Sequence, residues 1–285
     1  MIDIILNQKL TDENRRKRIY AGDIFLMSSL VSCSKLCNYA IEVLREKFQA
    51  QDPQTAFLNL PVQEFVKIVE KTKNQFTNSL RSKELIREFL IEMDSDPLEY
   101  CFDVPRIRVV PNYAYLHAGV SYAYAPHRDT WYGSPTYQIN HWMPIFPIMP
   151  EQTMAIYPAY FSKPVQNSSE NFDLERWTKV ERKKAVNNIE REERVHPLPL
   201  EDLEQSHQVR IGGNRGDIMI FSGTHLHATV PNLTQLTRFS IDFRIYNKRD
   251  IAQGVELLNI DSQAQGVENY LKEMFNASDF SLYSP

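Results

Sequence analysis

Two short segments carry side chains able to grip a metal ion. In APHRDTWYGSPTYQINHWMPIFPI, residues 125–148, His127 and Asp129 stand two apart at the end of an alternating aromatic run. Successive side chains of an extended chain point to opposite faces, so this pair faces one way and can hold a single ion. Much later, GDIMIFSGTHLHATVPNLTQLTRFSIDFR brings two further histidines, His225 and His227, and then Arg238 and Ser240. Either histidine, added to the pair, completes a set of two imidazoles and one carboxylate. Such a set binds Fe(II) on one face and leaves the opposite positions open for reactants. A His-x-Asp pair by itself is common and reads as a surface ion pair or a turn. The distal block is what gives it meaning.

Other polar residues cluster around these two segments. In Tyr137–Trp142, strand alternation puts Gln138, Asn140 and Trp142 on one face and His141 on the other. Thr130, Trp131 and Tyr132 follow the metal pair directly and are expected at the mouth of a site. Arg244 shares a strand face with Arg238 and Ser240, where it would meet a polar or anionic substrate or pair with Asp242. Tyr113, Tyr115, Tyr122 and Tyr124 read as packing. Cys33 and Cys37 lie four apart without a second pair, so they read as buried thiols and not as a zinc site.

The elements that must position these residues change character along the chain. Thr11-Asp12-Glu13-Asn14 offers helix-capping chemistry. Apolar spacing predicts helices over 23–49, 62–71 and 82–93, so residues 1–103 form a helical support. From Val104 the period shortens to that of strands, broken by Pro and Gly, and the run 104–246 reads as a β core. Strands are expected over 137–145, 153–157, 209–211, 217–227 and 238–246. Residues 163–208 are charged and weakly periodic, an excursion that would cover a pocket or be a solvated insertion. Residues 247–285 hold a short helix near 263–276 and a polar tail. The expectation is one α+β, mainly β domain over 1–285.

Bulk properties narrow the function classes. Apolar residues make up 42% of the 285, enough for a sizeable core. Net charge is −4 with both signs interspersed, which gives no basic stripe for nucleic acid or an anionic membrane. The most apolar window, 24–44, is broken by serines, Lys35 and Asn38, so no membrane span is expected. The start MIDIILNQKL lacks the layout of a secretory signal, and three cysteines offer no disulfide framework. A cytoplasmic protein acting on a small molecule is the expectation.

With these motifs in view, the sequence resembles the Fe(II)/2-oxoglutarate-dependent oxygenases, within them the phytanoyl-CoA dioxygenase-like branch, over about Val104 to Tyr246. The resemblance implies a double-stranded β-helix (jelly-roll, cupin-like) core. It implies His127, Asp129 and His227 as iron ligands and Arg238, eleven residues beyond His227, as the anchor of 2-oxoglutarate. HATVPNLTQLTR matches the family's distal block, and Ser240 is similar to the serine of its Arg-x-Ser pair. Asn140, with Gln138 as runner-up, would donate to 2-oxoglutarate or a neighbouring water, and His225 would support the ligands or face substrate. The implied reaction uses O2 and 2-oxoglutarate and yields succinate, CO2 and a hydroxylated, demethylated, desaturated or C–N-cleaved product. Related halogenases lack the carboxylate, so Asp129 argues against halogenation. Where the family runs Pro-Gly-Ser-His, this chain has Tyr157-Pro158-Ala159-Tyr160.

Overall fold

A computed structural model describes residues 2–204, 207–254, 257 and 260–284. The N-terminal third contains β1 (Ile4–Leu6), α1 (Asp12–Tyr20), β2 (Ile24–Met27), α2 (Val31–Phe48), α3 (Val62–Asn78) and α4 (Leu80–Glu92). The Thr11 hydroxyl accepts from Asn14 N at 3.4 Å and starts α1. The helix expected over 23–49 begins later. Ile-Phe-Leu-Met at 24–27 is a continuous apolar run that pairs with another strand, and Ser29, at φ +63°, turns the chain before α2. The first turn of α2 has no cap of its own; Glu92 from α4 accepts from Val31 N (2.8 Å) and Ser32 N (2.7 Å).

Downstream follow β3 (Tyr100–Val110), β4 (Ile139–Pro144), β5 (Met154–Ile156), α5 (Leu174–Lys179), β6 (Val209–Arg210), β7 (Ile218–Ser222), β8 (His227–Thr229), β9 (Arg238–Asn247), α6 (Lys248–Ala252) and β10 (Phe275–Asn276). They form a seven-stranded sheet ordered β1-β2-β7-β4-β9-β3-β10 and a three-stranded sheet ordered β6-β5-β8. The strand expected over 217–227 divides into β7 and β8 around a turn at Gly223–Thr224. The helix expected near 263–276 is a 3-10 segment, Val267–Glu273, running into β10.

Alternation along β9 assigns the two faces of the large sheet. Phe239, Ile241, Phe243 and Ile245 join the core cluster shared with α2, α3 and α4. Arg238, Ser240, Asp242 and Arg244 point the other way, toward β5 and β8. On β4 the same rule sends His141 to the helices, where it stacks on Phe243 (centroids 4.6 Å, 8°) and meets Phe89 edge-on. Each such aromatic contact adds about 0.5–1.5 kcal/mol beyond area burial.

Residues 163–204 are partly helical, with α5 and a 3-10 turn Glu181–Val186, and several residues within 174–194 line the same cavity as Arg238 and Arg244. Their fit depends on Gly119, at φ +59°, where an added Cβ would lie 2.2 Å from Ala185 O and 2.3 Å from Asn188 O. Gly119→Ala should therefore cost at least about 2 kcal/mol, read as a lower urea midpoint at unchanged m.

Burial pushes His141 down to about 3 from an ordinary 6.5, with Arg15 adding to the effect. The unfolded chain then binds the extra proton between pH 6.5 and about 3, so this contribution to stability is present above 6.5 and is lost as pH falls. His141→Leu should flatten the acid limb of stability against pH by up to about 1.4 kcal/mol per unit, measured by denaturant titration at several pH values.

Candidate metal centre

The two halves of the site meet through backbone. His127 N donates to His227 O and His227 N to His127 O, both at 2.9 Å, an antiparallel bridge between the segment before residue 129 and β8. Asp129 N donates to Gly223 O at 3.0 Å, extending the contact to the β7–β8 turn. The imidazole centroids come to 4.4 Å of one another. His127 Nε2 lies 3.8 Å and His227 Nε2 4.0 Å from Asp129 Oδ1, and the three ligand atoms fall within 4.8 Å of one another.

Both rings are oriented from behind. His127 Nδ1 sits 2.8 Å from Ala125 O and His227 Nδ1 3.0 Å from His225 O. A carbonyl only accepts, so each Nδ1 carries the proton and each Nε2 presents its lone pair to the same point. Burial pushes His127 down to about 3; the neighbouring His227 adds to this and Asp129 opposes it. A neutral imidazole is the ligating form.

Asp129 divides its two oxygens. Oδ1 faces the imidazoles, while Oδ2 accepts from Gln138 Nε2 and Asn140 Nδ2, both at 2.6 Å, with Arg244 Nε at 3.7 Å. Burial alone would raise this carboxyl, but Arg244, the two imidazoles and Asn140 outweigh it and hold it below the usual carboxylate range. Gln138 Oε1 in turn accepts from Tyr246 Oη (2.6 Å) and Tyr270 Oη (2.9 Å). Gln138 Nε2 also donates to Asn140 Oδ1 at 2.8 Å, so each of the amides expected to serve 2-oxoglutarate gives an N–H to the carboxylate ligand.

Arg238, the first residue of β9, is buried at one wall of the same cavity, which encloses about 900 Å³. Its Nη1 donates to Thr153 O (2.9 Å) and Gln152 O (3.3 Å), but its Nε has no partner among the described residues. Burial lowers it to about 10, with Arg108 adding and Asp242 opposing, so it stays charged at neutral pH. The Ser240 hydroxyl on the same face is fully buried and also without a partner among the described residues. Arg244 faces three carboxylates, Asp103 at 3.0 Å, Asp129 at 3.7 Å and Asp242 at 3.8 Å.

Of the three residues following the pair, one reaches the cavity. Tyr132 lines it, its Oη 2.9 Å from His196 Nδ1. Trp131 is fully buried in a separate core cluster, its Nε1 donating to Asp261 at 2.7 Å, and buried Thr130 gives its carbonyl to Ser262. The 3-10 turn Asp129–Tyr132 rotates the chain, so neighbours in sequence diverge in space. His225 lies in the turn before β8, its side chain buried against Phe161 with Nε2 2.9 Å from Gly22 O. Only its carbonyl serves the site.

Several supporting residues went unnoticed in the sequence. Arg108 on β3 forms a two-pronged pair with Asp242 (2.6 and 2.9 Å), legible only once β3 and β9 are known to be neighbours. Arg128, between the two ligands, points away from them and donates to Thr224, Tyr160 and Lys163 carbonyls and to Asp261. Its position between His127 and Asp129 was the available signal, because alternation sends it to the opposite face.

No family model and no curated protein matches the sequence. Among solved structures the chain is similar to EvdO2 from Micromonospora carbonacea var. aurantiaca, at 12% identity and TM-score 0.49, covering 84% of this chain and 92% of that one. It is also similar to the non-heme alpha ketoglutarate dependent epimerase SnoN from nogalamycin biosynthesis (12%, TM-score 0.42, 83% and 84%). A third likeness is to the non-heme monooxygenase ThoJ (12%, TM-score 0.41, 76% and 69%). Similarity at this level does not assign a reaction.

Removing one donor to Asp129 Oδ2 should loosen the ligand without unfolding the chain. Gln138→Leu and Asn140→Leu are each expected to weaken Fe(II) or Ni(II) binding roughly 10–100-fold by titration, with far-UV circular dichroism unchanged.

Proposed function

We propose that the protein is an Fe(II)- and 2-oxoglutarate-dependent oxygenase on a double-stranded β-helix core. Its proposed reaction hydroxylates a small polar metabolite, as in a natural-product or sugar pathway, with release of succinate and CO2. One observation carries this reading: His127 Nε2, His227 Nε2 and Asp129 Oδ1 converge on one point of a cavity that Arg238 also lines. Two imidazoles and one carboxylate suit Fe(II), and a buried guanidinium with an unpartnered Nε suits a carboxylate. The distal block HATVPNLTQLTR supports the phytanoyl-CoA dioxygenase-like branch.

Bound Fe(II) and 2-oxoglutarate would supply an O2-dependent oxidation coupled to loss of CO2. The chain's own contribution is placement. His127 and His227 present fixed lone pairs, and Asp129 is kept ionised by Gln138, Asn140 and Arg244. Arg238 holds the far carboxylate of 2-oxoglutarate, with the Ser240 hydroxyl as a neutral neighbour on the same strand face. Residues within 174–194 form one wall of this concave space, which supports a small substrate over a macromolecule. Demethylation, desaturation and C–N cleavage would use the same residues and differ only in product.

Anaerobic addition of Fe(II) and 2-oxoglutarate should give a weak visible absorption band, and its absence would sink this reading. In aerobic assays Asp129→Ala should abolish succinate release. Arg238→Leu should raise the 2-oxoglutarate concentration for half-maximal rate by about tenfold or more, as loss of a charged hydrogen-bonding partner predicts.

A further inference from the structure

Most charges around the cavity pair off; Lys183 and Lys272, which make no ion pair among the described residues, are exposed to solvent. Asp103 accepts from Arg106 and Arg244, Asp242 pairs with Arg108, and Glu192 holds Arg194 at 2.6 Å. Farther out, Lys179 pairs with Glu175 and Arg182 with Glu273. Asp129 serves the metal, and on the reading above Arg238 serves 2-oxoglutarate. Lys73, on α3, lines the same cavity and makes no ion pair among the described residues. Its Nζ donates to the Val120 carbonyl, a neutral partner, and Glu70 one turn earlier on α3 is not within ion-pair distance.

Lys73 stands among like charges. Arg194 Nη2 donates to Gly119 O at 2.9 Å, on the same short turn, Gly119–Ser121, that supplies the acceptor for Lys73. Burial depresses the ammonium to about 7; Arg108 and Arg194 add to this and Asp242 opposes it. An unneutralised ammonium in a partly dry wall is costly unless an anion arrives. Beside it runs an aromatic surface. Tyr122, Tyr124, Tyr132 and Trp177 all line the cavity, with Tyr124 packed against the His127 ring at 5.4 Å.

We propose that the substrate is an anionic, ring-bearing small molecule whose carboxylate or phosphate pairs with Lys73 while its ring lies on the Tyr122–Tyr124–Trp177 wall. The proposal rests on the oxygenase reading for the identity of the occupant, but its physical content is the anion seat at Lys73. A neutral sugar would leave Lys73 without a counter-charge.

Calorimetric titration of 2-naphthoate, 2-naphthyl phosphate and neutral 2-naphthamide tests this, under argon with Fe(II) and excess 2-oxoglutarate so that Arg238 is not the group being read. At least one anion should bind about tenfold tighter than the amide, the worth of one charge-assisted hydrogen bond, and whichever anion is preferred identifies the oxyanion. Lys73→Met and Lys73→Gln, the latter still able to donate to Val120 O, should bring the ratio to about one and leave amide binding unchanged. Equal binding of charged and neutral probes, no binding of any, or a preference surviving both variants would overturn the proposal. Repeating the titration without metal and 2-oxoglutarate separates the two readings. Loss of the visible band with retained Lys73-dependent selectivity would fail the oxygenase assignment alone.

Discussion

Two hydrogen bonds exchanged between the backbones of His127 and His227 hold together everything that makes this molecule a candidate catalyst. The residues are far apart in sequence, and the bridge sets both imidazoles on one side of a junction between two sheets. Arg128 reinforces the junction from behind. A buried guanidinium needs its donors satisfied, and here three carbonyls and the Asp261 carboxylate satisfy them. One of those carbonyls, Thr224 O, belongs to the turn just before β8. The segment bearing the first two ligands and the turn leading to the third are therefore tied twice, once by backbone and once by a side chain pointing away from the site.

Around that junction the large sheet supplies fixed charge. On the cavity face of β9 and its neighbour β3, arginine and aspartate pair across the strands: Arg108 reaches diagonally to Asp242, and Arg244 faces Asp103 and also approaches Asp242 and, beyond the sheet, Asp129. In a low-dielectric setting such pairs are rigid because each member's alternative is an uncompensated charge. Burial would raise Asp242, yet Arg108 and Arg244 hold it down to about 2. A site whose dipoles and charges are set before substrate arrives needs little reorganisation during reaction.

The triad was legible because its chemistry is local: alternation puts His127 and Asp129 on one face, and a histidine followed by an arginine completes the pattern. The β core and the helices at 62 and 80 were legible for the same reason, since period reports which face is buried. Three features were not. Residues 24–27 sit in an apolar run that suits either a strand or a buried helix, and only pairing with β7 decides it. His225 and His227 look equivalent until the turn between β7 and β8 is known, and Trp131 looks like a rim residue until the 3-10 turn carries it inward. Gln138 and Asn140 stand out in the sequence as polar residues expected to donate to 2-oxoglutarate, but which oxygen they serve depends on a register set by β7 and β9.

Among the described residues, the cavity wall from residues 174–196 meets the stretch 119–132 through few polar contacts: Glu192 and Arg194 on Gly119, and His196 on Tyr132. The metal set and its carboxylate support lie on other parts of the chain. Change can therefore accumulate in the wall without reaching the residues that orient Asp129. A lineage built on this scaffold has a route to new ligands in which the wall diverges first and the His127–Asp129–His227 set is inherited intact.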